Sequence, residues 1–279
     1  MTSANTPNEE TSHFRGYNIP VRLMKMTGAG PETWDGISAN HINQYERLCP
    51  IQPHHNVLEI GCGVGRDAIP IAERLISGQY VGVDIMREHV EWCTSNISLK
   101  HPNFQFIHYD IHSLDYNPKG TLKTQDVQLT AINLTFDRIL LQSVFTHMLY
   151  GEVLHYLTQF QLLLNAKGVI FATFYFLNTA KHALAETHSP YKFPHQVDEG
   201  IFINDTNNPR RVVAYSITPL AKAARQSGLT ILGIHHGYWA GSHRATHSQD
   251  IILFTKSSPP PVDSMLYKSA VCLVRVSPG

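Results

Sequence analysis

The sequence predicts an α/β protein: a doubly wound, mostly parallel sheet of seven strands with an antiparallel edge strand. Three observations predict it. From residue 56 onward short apolar runs alternate with helical patterns, the rhythm of a parallel sheet. The first run passes into a helix through Gly61-Cys62-Gly63-Val64-Gly65, a glycine-rich turn of the kind that holds ligands in doubly wound folds. The run at 168–176 is strongly apolar, as expected of a central strand covered on both faces.

Composition bounds the rest. With 279 residues, 43% of them hydrophobic, the chain can bury the core of one large domain with additions. Its charges balance to a formal net charge of zero, which leaves no electrostatic footprint for nucleic acid or an anionic membrane. Cys49, Cys62, Cys93 and Cys272 lie far apart without zinc spacing, and the histidines form no regular ligand pattern, so no metal site is expected. No apolar leader opens the chain and no run reaches membrane-spanning length. A soluble, cytoplasmic protein without a membrane partner is the expectation.

Taken in order, residues 1–13 are polar and expected to fray. A short helical piece at 17–29 and a helix at 31–48 precede the first strand, so residues 1–49 form a candidate N-terminal helical cap. The sheet domain covers 50–256. Its strands fall at 56–60, 80–84, 104–110, 136–141 and 168–176, with helices at 66–76, 87–97 and from about 149 to 165. Residues 113–135 read as a long irregular loop. Residues 178–215, rich in His, Pro and Asn, are too long for an ordinary connection and are expected to form a lid insertion. A helix at 218–227 leads to strands at 229–234 and 250–254, an antiparallel pair at the sheet edge. The prolines at 259–261 close the domain, and in the tail 257–279 the run at 270–276 is a candidate edge strand.

The turn alone is compatible with a purely structural connection. Its G-x-G-x-G spacing differs from the G-x-G-x-x-G of a dinucleotide pyrophosphate site. Three acids narrow the choice. Glu59 lies two residues before the first glycine, where it would face a ligand. Asp84 ends the second strand, the place of a carboxylate that accepts ribose hydroxyls. Asp110 ends the third, where it could accept from an adenine amino group. An ammonium, a ribose and an adenine without a diphosphate fit that distribution, and S-adenosylmethionine is such a molecule.

At these residues the chain resembles the class I S-adenosylmethionine-dependent methyltransferases. The resemblance runs over about residues 30–256. It rests on Val57-Leu58-Glu59-Ile60-Gly61-Cys62-Gly63-Val64-Gly65-Arg66, Val81-Gly82-Val83-Asp84, Phe136-Asp137-Arg138-Ile139, Ser143-Val144-Phe145-Thr146-His147-Met148 and the 168–176 strand. It looks closest to a bacterial small-molecule subgroup that shares Tyr116-Asn117-Pro118-x-Gly120, Trp239-x-Gly241 and Ser248-Gln249-Asp250-Ile251. The resemblance implies a Rossmann-like fold with S-adenosylmethionine as cofactor and S-adenosylhomocysteine as product. It implies that Gly61, Cys62, Gly63, Gly65 and Arg66 surround the methionyl part and that Glu59 holds the ammonium. Asp84 with Ile85 would hold the ribose, Asp110 with Ile111 the adenine, and Gln142 with Ser143 the sulfonium. Two departures touch the acceptor side: Leu149-Tyr150 stands where a proline turn is usual, and Pro209-Arg210-Arg211 is basic where the subgroup carries an acid.

Methyl transfer from a sulfonium gains chiefly from positioning, and a hydroxyl acceptor gains further from a base with a pKa near neutrality. His147 is the candidate base; the alternative is that it caps the helix that follows. Tyr150, Tyr175, His195, Tyr238 and Trp239 are the candidate acceptor-pocket residues. Cys62 reads as a small buried spacer. The expected activity is methylation of a small-molecule hydroxyl or amine. The competing readings are a methyltransferase-like scaffold that serves as a partner subunit and an NAD-dependent oxidoreductase.

Overall fold

The structure, a computed structural model, describes residues 9–241 and 245–256. The expected domain end at 257–261 and the candidate strand at 270–276 lie outside the described residues. The chain divides into two compact units, one running to Val127 and one beginning at Gln128. The residues expected as a cap and the first three sheet strands therefore share the first unit.

That unit opens with a hairpin where fraying was expected. Strands β1 (Thr11–Phe14) and β2 (Tyr17–Pro20) pair antiparallel through Arg15 and Gly16, both at positive φ (45° and 81°). Two consecutive positive φ angles make the turn whose twist matches a hairpin. Helix α1 (Val21–Met26) follows, then α2 (Pro31–Leu48), which starts with a proline at a position that needs no N–H and a glutamate in its first turn. Strand β3 (Val57–Ile60) is buried along its whole length.

The next helix is shorter than expected: α3 covers only Ala68–Ala72. Three glycines hold the chain in turns before it, and the N–H groups of Ile76 and Gly78 turn to the Pro53 carbonyl after it. Strand β4 (Tyr80–Asp84) pairs parallel with β3 and with β5 (Phe104–His108), so β4 lies between them. Helix α4 (Arg87–Cys93) joins β4 to β5 and continues as a π-helical turn, Thr94–Ser98.

The first unit ends with a short 3₁₀ turn (Thr124–Asp126), and the second begins with another (Leu129–Ile132) and β6 (Phe136–Leu141). After α5 (Tyr150–Leu163) the chain enters β7 (Leu164–Phe176), whose last seven residues are all buried. Strand β6 pairs parallel with β7. Residues 178–215 are folded as helix α6 (Thr179–His188) and three short strands, β8 (His195–Asp198), β9 (Ile201–Ile203) and β10 (Val213–Tyr215). β10 runs parallel to the last two residues of β7, and β9 and β8 add antiparallel. Helix α7 (Ile217–Gln226) leads to β11 (Thr230–His235) and β12 (Asp250–Thr255). β12 runs antiparallel to both β7 and β11, which leaves β11 as the edge. The fold is the expected α/β one, with mostly parallel strands and an antiparallel pair at the end, but ten strands (β3–β12) stand where seven were expected, because residues 178–215 supply three. Among the described residues, no helix is long and apolar enough to cross a membrane.

One buried carboxylate ties the far end of β7 together. Asp250, fully buried at the start of β12, accepts from the N–H of Phe176 (2.8 Å), the N–H of Gly237 (2.9 Å), His236 Nδ1 (3.3 Å), Trp239 Nε1 and Lys181 Nζ. Burial opposes its ionisation, but His236, Lys181 and the Phe176 N–H outweigh that and hold its carboxyl below the usual range. Because the native pKa is depressed, the stabilisation is present above the ordinary carboxylate range and is lost as pH falls through the native value. Asp250→Ala, which strands Lys181 and the indole N–H, is expected to lower stability by about 3–5 kcal/mol in chemical denaturation. It should also flatten the acid limb of the stability curve. A loss comparable to an ordinary surface substitution would contradict the role.

Candidate functional site

In the first unit the site grows from the turn after β3. Gly61, Gly63 and Gly65 all take left-handed φ (74°, 52° and 82°), which side chains rarely adopt. At Gly65 a Cβ would lie 2.5 Å from Ile97 Cδ1, so a side chain there meets the α4 continuation. The N–H groups of Gly61 and Cys62 both donate to the Val83 carbonyl (2.7 and 3.2 Å). Gly63 N–H donates to Asp84 Oδ2 (2.7 Å) and Met86 N–H to Asp84 Oδ1 (2.8 Å). A carboxylate offers about four lone-pair sites, so two backbone bonds leave Asp84 capacity for hydroxyl donors. Buried His89 donates from Nε2 to the Leu23 carbonyl (3.2 Å), with Nδ1 3.9 Å from Asp84 Oδ1.

Glu59 is buried in β3 and accepts from the Tyr80 hydroxyl of β4. Burial, then the Asp67 charge, pushes its carboxyl well above the usual range, against the pull of Tyr80 and Arg66. Asp67 behaves oppositely. Burial opposes its charge too, but His41 (2.9 Å), Arg66 and the Tyr45 hydroxyl (2.8 Å) prevail and hold it below the usual range. His41 and Tyr45 belong to α2, and Ser38 Oγ of the same helix donates to the Arg66 carbonyl (2.9 Å). The expected cap is therefore anchored on the residues just past the glycine turn. Cys62 is buried and burial pushes its thiol up, which suits a spacer and not a nucleophile.

Asp110 follows β5 by two residues and is held from the loop beyond it. Asn117 Nδ2 donates to its Oδ1 (3.1 Å), and Thr121 donates to its Oδ2 from both Oγ1 (2.9 Å) and N–H (3.2 Å). The Asn117 and Thr121 hydrogen bonds lower its pKa. Asn117 also donates to the Ile111 carbonyl (3.1 Å), and a Cβ on Gly120 would come within 2.5 Å of the Ile111 backbone. That geometry gives Asn117-Pro118-x-Gly120 a physical purpose: it folds a loop against Asp110 and buried Ile111. Ile85 presents its carbonyl to His108 Nε2 (3.1 Å).

In the second unit the chain leaves β6 through half-buried Gln142 and then Ser143, which takes a left-handed φ of 57°. Ser143 N–H donates to Thr173 Oγ1 (2.7 Å), and its hydroxyl donates to Gln249 Oε1 (3.0 Å). Gln249 Nε2 reaches the Tyr175 hydroxyl at 3.4 Å. A non-glycine residue in this backbone region costs energy and persists where its surroundings enforce it. His147 donates from Nδ1 to the Arg210 carbonyl (3.2 Å), which in the neutral ring places the lone pair on Nε2. The Arg210 guanidinium pairs with buried Glu152 (3.0 Å), whose other task is to cap α5 at Leu149 N–H. The basic stretch that departs from the resembled pattern is thus the partner of Glu152.

The expected acceptor-pocket residues do not form one group. Tyr175 and Trp239 pack edge to face (5.0 Å between centroids) in a buried cluster with Phe193. Tyr150 instead donates to Gln226 of α7 (2.6 Å) beneath Lys222. His195 is exposed on β8, and Tyr238 is 49% exposed. Sequence reasoning missed Tyr80, Asp67, His41, Thr173 and Gln249. Tyr80 had a readable signal, since it opens the strand that ends at Asp84; Asp67 and His41 in the first unit, and Thr173 and Gln249 in the second, find their partners only through tertiary contact.

Comparison with known proteins gives the following. A family model described as a methyltransferase domain matches residues 51–215, more than half of the chain. A Pyrococcus horikoshii protein shares 12% identity with a TM-score of 0.54, over 83% of this chain and 93% of that one. An S-adenosylmethionine-dependent methyltransferase from Clostridium acetobutylicum shares 12% with a TM-score of 0.50, over 81% and 92%. A methyltransferase of calicheamicin biosynthesis, in its SAH-bound form, shares 11% with a TM-score of 0.50, over 81% and 56%. At these identities the likeness is one of fold.

The raised carboxyl of Glu59 has a thermodynamic consequence. The folded chain keeps this proton where the unfolded chain releases it, so stability falls as pH rises from the ordinary carboxylate range to the native pKa. Glu59→Gln keeps an acceptor for Tyr80 and removes the titration. Denaturation at pH values above the ordinary carboxylate range is expected to show a downward slope in the wild type that the variant lacks. Parallel curves would contradict the assignment.

Proposed function

The chain belongs to the methyltransferase domain family, and on that premise we propose that it transfers a methyl group from S-adenosylmethionine to a hydroxyl or amine of a small molecule. The observation that carries the proposal is the left-handed glycine turn fastened to Asp84 through the Gly63 N–H. The donor set suits the cofactor. Glycine backbone without side chains admits a bulky nucleoside, Asp84 retains lone pairs for ribose hydroxyls, and buried Glu59 ionises readily only when a cation joins it. When bound, the cofactor supplies an electrophilic methyl on a sulfonium with a neutral leaving group.

The roles of the chain's own residues follow. Gly61, Cys62, Gly63, Gly65 and Arg66 bind the methionyl portion, and Glu59 receives the ammonium. Asp84 with Ile85 holds the ribose. Asp110 and Ile111 define the adenine position through the loop that Asn117 folds. Gln142 and Ser143 serve the sulfonium. His147 acts as base through Nε2, its ring oriented by the Arg210 carbonyl. The cap at 1–49 closes the cofactor site, and the folded segment 178–215 selects the acceptor together with Tyr150, Tyr175, His195, Tyr238 and Trp239. Zero net charge favours a small acceptor over nucleic acid.

The experiment is methyl transfer from label-bearing S-adenosylmethionine to a panel of phenols, catechols, primary amines and glycosides. Transfer to at least one hydroxyl or amine is expected. With that acceptor, His147→Ala is expected to lower kcat by about 10²–10⁴ while S-adenosylhomocysteine binding is unchanged. Full turnover in the variant would remove His147 as the base. S-adenosylhomocysteine binding without transfer to any acceptor would favour the scaffold reading.

A further inference from the structure

Next to His147 in the second unit stands an arginine that is fixed at one end and open at the other. The Arg210 carbonyl accepts from His147 Nδ1 (3.2 Å), and Arg210 Nε donates to both oxygens of buried Glu152 (3.0 Å each). Glu152 thus holds the guanidinium through Nε alone. Both Nη groups donate to nothing among the described residues, on a side chain 53% exposed. Arg211 beside it is exposed as well. From the other flank, α7 places Lys222 Nζ 5.5 Å from the ring centroid of Tyr150. Burial raises the pKa of the Tyr150 hydroxyl; the Arg225 charge of the same helix opposes that shift, and the Asp198 charge assists it. Among the described residues Arg211, Lys222 and Arg225 form no ion pair. Exposed cations are ordinarily left to solvent, and a pair on the surface is worth little. This group differs because Glu152 orients one of its members against the segment that carries His147. The whole chain is neutral, so composition alone does not account for the local excess.

We infer that the methyl acceptor carries an anionic oxygen group, a carboxylate or a phosphate, received by the Nη groups of Arg210 within the positive field of Arg211, Lys222 and Arg225; the inference rests on the methyl-transfer reading given above. A planar guanidinium matches either anion at two points, which an ammonium does not. Because Glu152 already holds Nε, less side-chain freedom is lost when the anion binds. The carbonyl of the same residue orients the His147 ring. One residue therefore sets the base and anchors the acceptor beside it, and the substrate class narrows to a hydroxyl or amine compound that also bears an anion.

The test measures initial rates of methyl transfer by the full chain to acceptors that differ in one group. Hydroxybenzoates and hydroxyphenyl phosphates are set against neutral hydroxybenzamides, and aminobenzoates against aminobenzamides. Anionic acceptors are expected to exceed their neutral counterparts at least about tenfold in kcat/KM, chiefly through a lower KM, the scale of one charge-assisted hydrogen bond. The benzoate and phosphate arms tell the two anions apart. Arg210→Lys keeps a cation for Glu152 but lacks the planar fork, and it is expected to shrink the ratio by raising KM for the anionic acceptors. Lys222→Gln, which pairs with neither Glu152 nor His147, is expected to shrink it too and decides where Arg210→Lys fails to fold. Equal kcat/KM for charged and neutral acceptors, transfer to neutral acceptors alone, or variants that slow both kinds alike would overturn the anion site and leave methyl transfer standing. Transfer to no acceptor at all, charged or neutral, would overturn the methyl-transfer reading itself, and the anion site with it.

Discussion

One carboxylate sets the geometry of the first unit's site. Asp84 ends β4 and accepts the N–H groups of Gly63 and Met86. It therefore fastens the turn after β3 to the turn after β4, beyond the Gly61 and Cys62 N–H bonds to the Val83 carbonyl. Of the left-handed glycines, Gly63 gives its N–H to this tie, while Gly61 and Gly65 give theirs to the Val83 and Cys62 carbonyls. The turn then presents bare peptide toward a ligand. The same tie concentrates negative charge, and the chain handles it unequally. His41, Arg66 and Tyr45 hold Asp67 below the usual carboxylate range, whereas burial pushes Glu59 well above it. A cation beside Glu59 would favour its ionised form, because an opposite charge lowers a carboxyl's pKa.

The second unit solves a different problem: how to hold loops rigidly at the end of a long central strand. Asp250 does this from below by collecting donors from β7, α6 and the loop at 236–239. Gln249, the residue before it, accepts from the Ser143 hydroxyl. Ser143 is thereby held in a backbone conformation that a serine would otherwise leave, with Thr173 fixing its N–H. Stored strain and rigid polar partners at the end of β6 suit a residue that must present its side chain in one orientation.

Strands and the cofactor class were legible in the sequence because each had a local signature. The apolar runs gave β3, β4 and β6 to within a residue, and the glycine spacing with its three acids named a cofactor without a diphosphate. What escaped depended on distant partners. The opening hairpin turns on Arg15-Gly16, and arginine at positive φ carries no turn signal; Lys100 stabilises it from afar by donating to the Gly16 carbonyl (2.9 Å). The strands of residues 178–215 are three or four residues long, too short for periodicity, and β10 is a strand only because β7 offers it an edge. Glu59 read as ligand-facing from spacing alone, yet its environment is decided by Tyr80, 21 positions away. The aromatic acceptor residues showed composition without direction: Tyr175 and Trp239 share a core cluster, while Tyr150, at the start of α5, bonds Gln226 of α7.

The central claim is that the Asp84-fastened glycine turn binds a sulfonium nucleoside and not a dinucleotide. Calorimetric titration of the full chain with S-adenosylhomocysteine and, separately, with NAD tests it most directly. The account predicts one-to-one binding of S-adenosylhomocysteine, lost in Asp84→Ala, and no binding of NAD. Binding of NAD with none of S-adenosylhomocysteine would contradict it.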